Sequence, residues 1–215
     1  MTFIFLAAVG LLTSCNSTEM TKVASETATV IQHSDKSASK TERQLLIEEL
    51  NQLKATIASN DKERIADIFQ FPLSDTTVGI YIDDSTYYAQ FEKNGNKTTR
   101  TMFVRFFPQV SESLQINELN QLLKNIRLDS LQQKNTLERE VHIKTEPCYK
   151  FYYIDVQGNI VTLTTGQSVN ENFKSSTASE DEIPENSSEF CESLLWWVFR
   201  FDGKRLHFVK QHGAG

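Results

Sequence analysis

The chain has none of the short signatures by which a single sequence declares its chemistry. Gly-x-Ser-x-Gly, the P-loop, the glycine-rich dinucleotide fingerprint and His-Glu-x-x-His are all missing. Cysteine is scarce: three residues, with no Cys-x-x-Cys and no Cys/His cluster, so metal-ligand spacing is absent. The four histidines, His33, His142, His207 and His212, share no helical ligand spacing. No cofactor or metal is implied. Basic residues are also too few for a nucleic-acid surface, which needs a positive face. Lys and Arg number 22 against 28 Asp and Glu, giving a formal charge of −6 with the cations scattered. No apolar run is long enough to span a bilayer. No internal repeat is visible.

The longest apolar run, Phe3 to Leu12, has the length of a signal-peptide core. It leads into Leu12-Thr13-Ser14-Cys15, which resembles the lipobox of bacterial lipoproteins. There a branched apolar residue and two small ones precede the cysteine that receives the lipid. The resemblance implies lipidation at Cys15, a membrane anchor and a bacterial cell-envelope location. Asn16 in place of Asp points to the outer membrane rather than the inner one. The segment from Met1 to Ser14 departs from the pattern, because it holds no Lys or Arg. Residues 1–15 then form the signal peptide. Residues 16–40, rich in Ser, Thr, Ala and Lys, form a flexible tether reaching ~25–30 Å. Residues 41–215 form a single domain.

With Cys15 lipidated, Cys148 and Cys191 are left as an even pair in an oxidising compartment. Each stands just before a strand-like run. A disulfide between them is expected, the alternative being two buried thiols.

Order begins near Thr41. Leu45, Leu46, Leu50, Leu53, Ile57 and Ala58 recur at helical spacing. Asp61 can cap a second helix over 62–69. Alternation of Val78, Ile80 and Ile82 suggests a short strand, followed by a polar loop over 83–98 with a turn at Asn94-Gly95. The acidic pair Asp83-Asp84 in that loop reads as solvated. Thr99 can cap a helix carrying Met102, Phe103, Phe106 and Phe107, curtailed by Pro108. A further helix over 114–128 presents Leu119, Leu122, Leu123 and Ile126. From Thr136 the period changes to two, with Leu137, Val141 and Ile143 in one strand. A hairpin about Gly158-Asn159 sets Val156 against Val161 and Ile154 against Leu163. Residues 170–189 are polar and acidic, and read as a mobile loop.

The last hairpin turns at Asp202-Gly203. A two-residue turn would place Trp197 opposite Phe208 and Phe199 opposite Leu206 on one apolar face, against the helices. The other face would set Trp196 against Val209 and Val198 against His207. A ribbon apolar on both sides is covered on both sides. Trp196, Val198, His207 and Val209 are therefore a candidate interface.

Helices first and a long antiparallel meander after them define an α+β order. With the segment Asp61-Lys-Glu-Arg-Ile-Ala-Asp-Ile-Phe-Gln-Phe-Pro72 and the closing Trp-x-Phe-x-Phe-Asp-Gly-Lys hairpin, the chain resembles the cystatin-like cone superfamily. That superfamily includes nuclear-transport-factor-like and polyketide-cyclase-like domains and bacterial envelope lipoproteins. The resemblance implies a curved sheet wrapped around helices, a pocket at the open end, and an outer sheet face that often makes a dimer. It carries over no catalytic residue. Asp202 is taken by its turn, and Asp155 falls opposite Thr162. Two functions stand: a non-enzymatic envelope lipoprotein that binds a ligand, a second copy or an envelope protein; or a small-molecule enzyme of isomerase, cyclase or hydrolase type with a pocket carboxylate. An inward Asp or Glu bonded to Tyr or His would mark the enzyme, and an interior filled by aromatics the binding module.

Overall fold

In the computed structural model the described residues are 40–74, 77–78, 80–170 and 191–214. They lie in one compact unit, Ser39–Gly215. The fold is α+β, six helices and a five-stranded antiparallel sheet in meander order β3-β4-β5-β6-β7, with a two-stranded β1-β2 pair apart from it.

Helix α1 (Glu42–Ser59) starts where Thr41 accepts from the Gln44 backbone N–H while the Gln44 side chain accepts from Thr41, a reciprocal capping box. Its buried stripe is Leu46, Ile47, Leu50, Leu53, Thr56 and Ile57, whereas Ala58 is exposed. Asn60, in the left-handed region, ends it. Asp61 caps α2, which is shorter than expected at Lys62–Ala66.

The described residues among 78–82 do not form the expected strand. Val78 and Ile82 are buried, but Ile80 N–H turns back to Val78 O and Tyr81 N–H is taken by Ser113 Oγ. Alternating burial here comes from a loop pressed on the core. The polar stretch after it is a helix, α3 (Ser85–Lys93), capped by the Asp84 carboxylate on Tyr87 N–H. Tyr87 is buried and shares a 2.6 Å hydrogen bond with Thr98 of β2 (Lys97–Thr98), which pairs with β1 (Leu73–Ser74). Thr99 caps α4 (Arg100–Arg105) as expected. Helix α4 stops before Pro108, as expected, but the chain turns helical again at once: Pro108 sits in the first turn of α5 (Phe107–Ser113), where its missing N–H costs no hydrogen bond. Helix α6 (Ile116–Asn125) buries Leu119, Leu122 and Leu123, and a 3₁₀ turn, Leu128–Gln132, follows it.

The sheet comprises β3 (Thr136–Val141), β4 (Cys148–Gln157), β5 (Ile160–Val169), β6 (Ser193–Phe201) and β7 (Leu206–Ala214). Val156 pairs with Val161 and Ile154 with Leu163, the expected register. The last hairpin differs. Asp202 Oδ1 accepts from both Lys204 and Arg205 N–H, at 2.8 and 2.7 Å, which draws two more residues into the turn. Pairing therefore starts at Phe201 with Leu206 and sets Phe199 against Phe208. A slip of two residues keeps every side chain on its face. Val209 then bulges, so Val198 faces Lys210, Trp197 faces Gln211 and Trp196 faces His212. Unbulged, the same ladder would bring Lys210 opposite Trp197 on the core face. The bulge turns that ammonium outward.

Phe208 meets Phe69 at 4.8 Å and Phe199 at 5.7 Å between ring centres, and Phe69 meets Phe103 at 5.2 Å. The inner sheet face thus meets Phe69, in the turn after α2, through edge-on aromatic contacts, and Phe69 in turn leans on Phe103 of α4 at a tilted angle. Asp202 also bonds the His207 ring at 2.8 Å. The Arg205 N–H, then His207, then the Lys204 N–H hold its carboxyl well below the usual carboxylate range. A depressed native pKa adds stability that is present above the unfolded value near 3.8 and lost as pH falls toward the native one. Wild-type thermal stability should therefore drop more steeply than that of Asp202→Asn as pH falls from about 5 to about 2. Parallel profiles would contradict the linkage.

Candidate functional site

Apart from its edges, two surfaces of the sheet can meet another molecule. The first is a cleft of about 280 Å³ at the end of the sheet where β6 begins. Its charged walls are Glu118 of α6 and Lys150 of β4, and Gln115, Thr165, Gln167 and Ser193 complete the polar lining. Lys150 Nζ lies 3.0 Å and 3.1 Å from the two Glu118 oxygens, a two-oxygen grip in a half-buried setting. Burial, helped by Glu118, raises the Tyr152 hydroxyl pKa beside this pair, with Lys150 and Arg139 opposing. Sequence reasoning missed this cleft because Glu118 and Lys150 come from different elements, with no spacing to connect them.

The second surface is the outer sheet face. Its cross-strand rows run Phe151–Gly166–Leu194–Ala214 and Tyr153–Thr164–Trp196–His212. Phe151, Tyr153, Leu194, Trp196 and Val198 are each half-buried there. A Cβ on Gly166 would stand 2.5 Å from the Phe151 ring and 2.5 Å from Ser193 O, so only glycine lets that ring lie across β5.

The sequence-predicted residues distribute as follows. Cys148 and Cys191 form a disulfide with Cα atoms 5.4 Å apart, joining the starts of β4 and β6. Trp196 and Val198 share the outer face. His207 lies opposite Arg200, not Val198, and its ring is held between Asp202 and the Gln70 amide, 3.2 Å away. Val209 does not face Trp196, because the bulge takes it out of the ladder. Asp155 lies opposite Thr162, as expected, and accepts from the Gln157 side chain. Cys15, residues 16–39 of the tether and residues 171–189 of the acidic loop lie outside the described residues.

The architecture defines an α+β domain with a meander sheet whose inner face carries the core. No family model, curated protein or solved structure matches the chain.

Proposed function

We propose that the chain is a non-catalytic binding module of a bacterial cell envelope, held at the membrane by lipid on Cys15. It meets a second copy of itself or another envelope protein through the outer face of its sheet. The observation that carries this reading is how the aromatic side chains divide between the faces. Inward, Trp197, Phe199, Phe208, Phe69 and Phe103 fill the space a cone would offer a substrate. Outward, Phe151, Tyr153 and Trp196 remain half uncovered among the described residues. Aromatic residues on an open face are the usual anchors of protein interfaces. A pocket enzyme would need a carboxylate free to move a proton, and Glu118 is instead neutralised by Lys150.

Two experiments test the reading. Radiolabelled fatty acid should enter the wild type grown in bacteria and not Cys15→Ser; equal labelling would remove the anchor. Trp196→Ala should leave the thermal unfolding temperature nearly unchanged and weaken self-association by about 2 kcal/mol, roughly thirtyfold in Kd. A wild type that stays monomeric at high concentration would refute the self-association arm.

A further inference from the structure

The two edges of the sheet are treated differently. On β7 the outward backbone finds partners: Leu206 N–H donates to Glu49 Oε2 at 3.3 Å and Gln211 N–H to Thr77 O at 3.1 Å. On β3 the ladder opens with Val156 N–H donating to Asn135 O at 2.9 Å. In an antiparallel pair this fixes the alternation. Leu137, Arg139 and Val141 turn their backbone toward β4, while Thr136, Glu138 and Glu140 turn theirs away. These last three are exposed, and their outward N–H and C=O groups have no partner among the described residues.

Beside them runs a groove of about 470 Å³ between the end of α6 and β3. Arg127, Lys134 and Arg139 line it, against the single carboxylate of Glu138. None of the three cations forms an ion pair among the described residues, although acidic residues outnumber basic ones in the chain. Arg139 Nη1 donates to Asn125 O at 3.0 Å, which holds its guanidinium at the groove wall. A second copy of β3 does not suit this edge. Antiparallel self-pairing about Glu138 would set the two Glu138 carboxylates directly opposite each other.

We propose that the β3 edge takes an extended peptide strand from another protein, with acidic residues at alternate positions. Its backbone pairs with Thr136 and Glu138. Every second side chain then points to one side of the sheet, where its carboxylates face Arg127, Lys134 and Arg139. This site is separate from the outer sheet face and does not depend on it.

The test is fluorescence anisotropy of the full chain with a short labelled peptide alternating Glu and Thr, against one alternating Lys and Thr. The Glu peptide should bind, more weakly as salt rises, and the Lys peptide should not. Glu138→Pro removes an outward N–H without touching the ladder to β4, a position where an edge strand tolerates proline. It should weaken binding about tenfold or more, whereas Glu138→Gln, which keeps the N–H, should bind at least as well as wild type. Arg127→Glu with Arg139→Glu should also weaken it about tenfold or more. If Glu138→Pro fails to fold by circular dichroism, Thr136→Pro at the first strand residue replaces it. The proposal is overturned if neither peptide binds or both bind alike. It is equally overturned if a folded proline variant binds as wild type while inorganic phosphate competes, since the groove would then hold only simple anions.

Discussion

Trp197→Ala is expected to cost about 3–5 kcal/mol, enough to unfold most of the population of a domain of ordinary stability. Trp197 is only 2% exposed and sits at the centre of the inner sheet face, opposite Leu163 and Gln211. Truncation empties the largest fully buried side chain. It also leaves Leu114 O without the indole N–H that reaches it at 3.2 Å, between α5 and α6. Both losses add to the same total: the cavity removes packing, and the stranded carbonyl keeps its desolvation cost. Urea unfolding followed by circular dichroism measures it. A loss below about 1 kcal/mol would mean that the core relaxes into the space, which a close-packed interior does not readily do.

The second large effect is the loss of the Cys148–Cys191 bond. The two residues are 43 apart in sequence, and closing a loop of that length removes about 4 kcal/mol of unfolded-state entropy by the chain-entropy relation. Cys191 is buried, so the reduced form must also hold a thiol in its place. Cys148→Ser with Cys191→Ser should lower the urea midpoint clearly, and reductant should do the same to wild type but not to the double variant. Equal midpoints in all three states would show that the segment between the cysteines is constrained by other means.

Features carried by local chemistry were legible in the sequence. The Gly158-Asn159 turn fixes its own register through a two-residue loop, and Asp61 and Thr99 cap their helices from within three residues. The disulfide followed from which cysteines remained to be paired. Most of what failed depended on distant partners, although the Asp84 cap of α3 is local, and from sequence Asp84 reads as a solvated loop acid. Helix α3 buries only Tyr87, so it has no apolar stripe to read, and its order comes from the Asp84 cap and the Tyr87–Thr98 contact. The bulge at Val209 is set by where Lys210 would otherwise point, a fact that exists only once Trp197 is in the core. Of the candidate interface, Trp196 and Val198 were placed on the outer face by parity alone. His207 and Val209 required the actual turn length, and the Glu118–Lys150 cleft required the packing of α6 on β4.

Two adjacent tryptophans look in opposite directions: Trp197 is buried in the core, and Trp196 lies half-buried on the outer sheet face, where we propose that another protein copy or partner docks. They are the only tryptophans in the chain, so each single Phe replacement leaves one reporter. Acrylamide quenching of Trp196→Phe, which reports Trp197, should be weak at every protein concentration. In Trp197→Phe the remaining Trp196 should be readily quenched in dilute solution and become protected as concentration rises and the outer face is covered. Equal quenching of the two variants, unchanged by concentration, would show that both rings lie in the same surroundings and that the outer face stays uncovered.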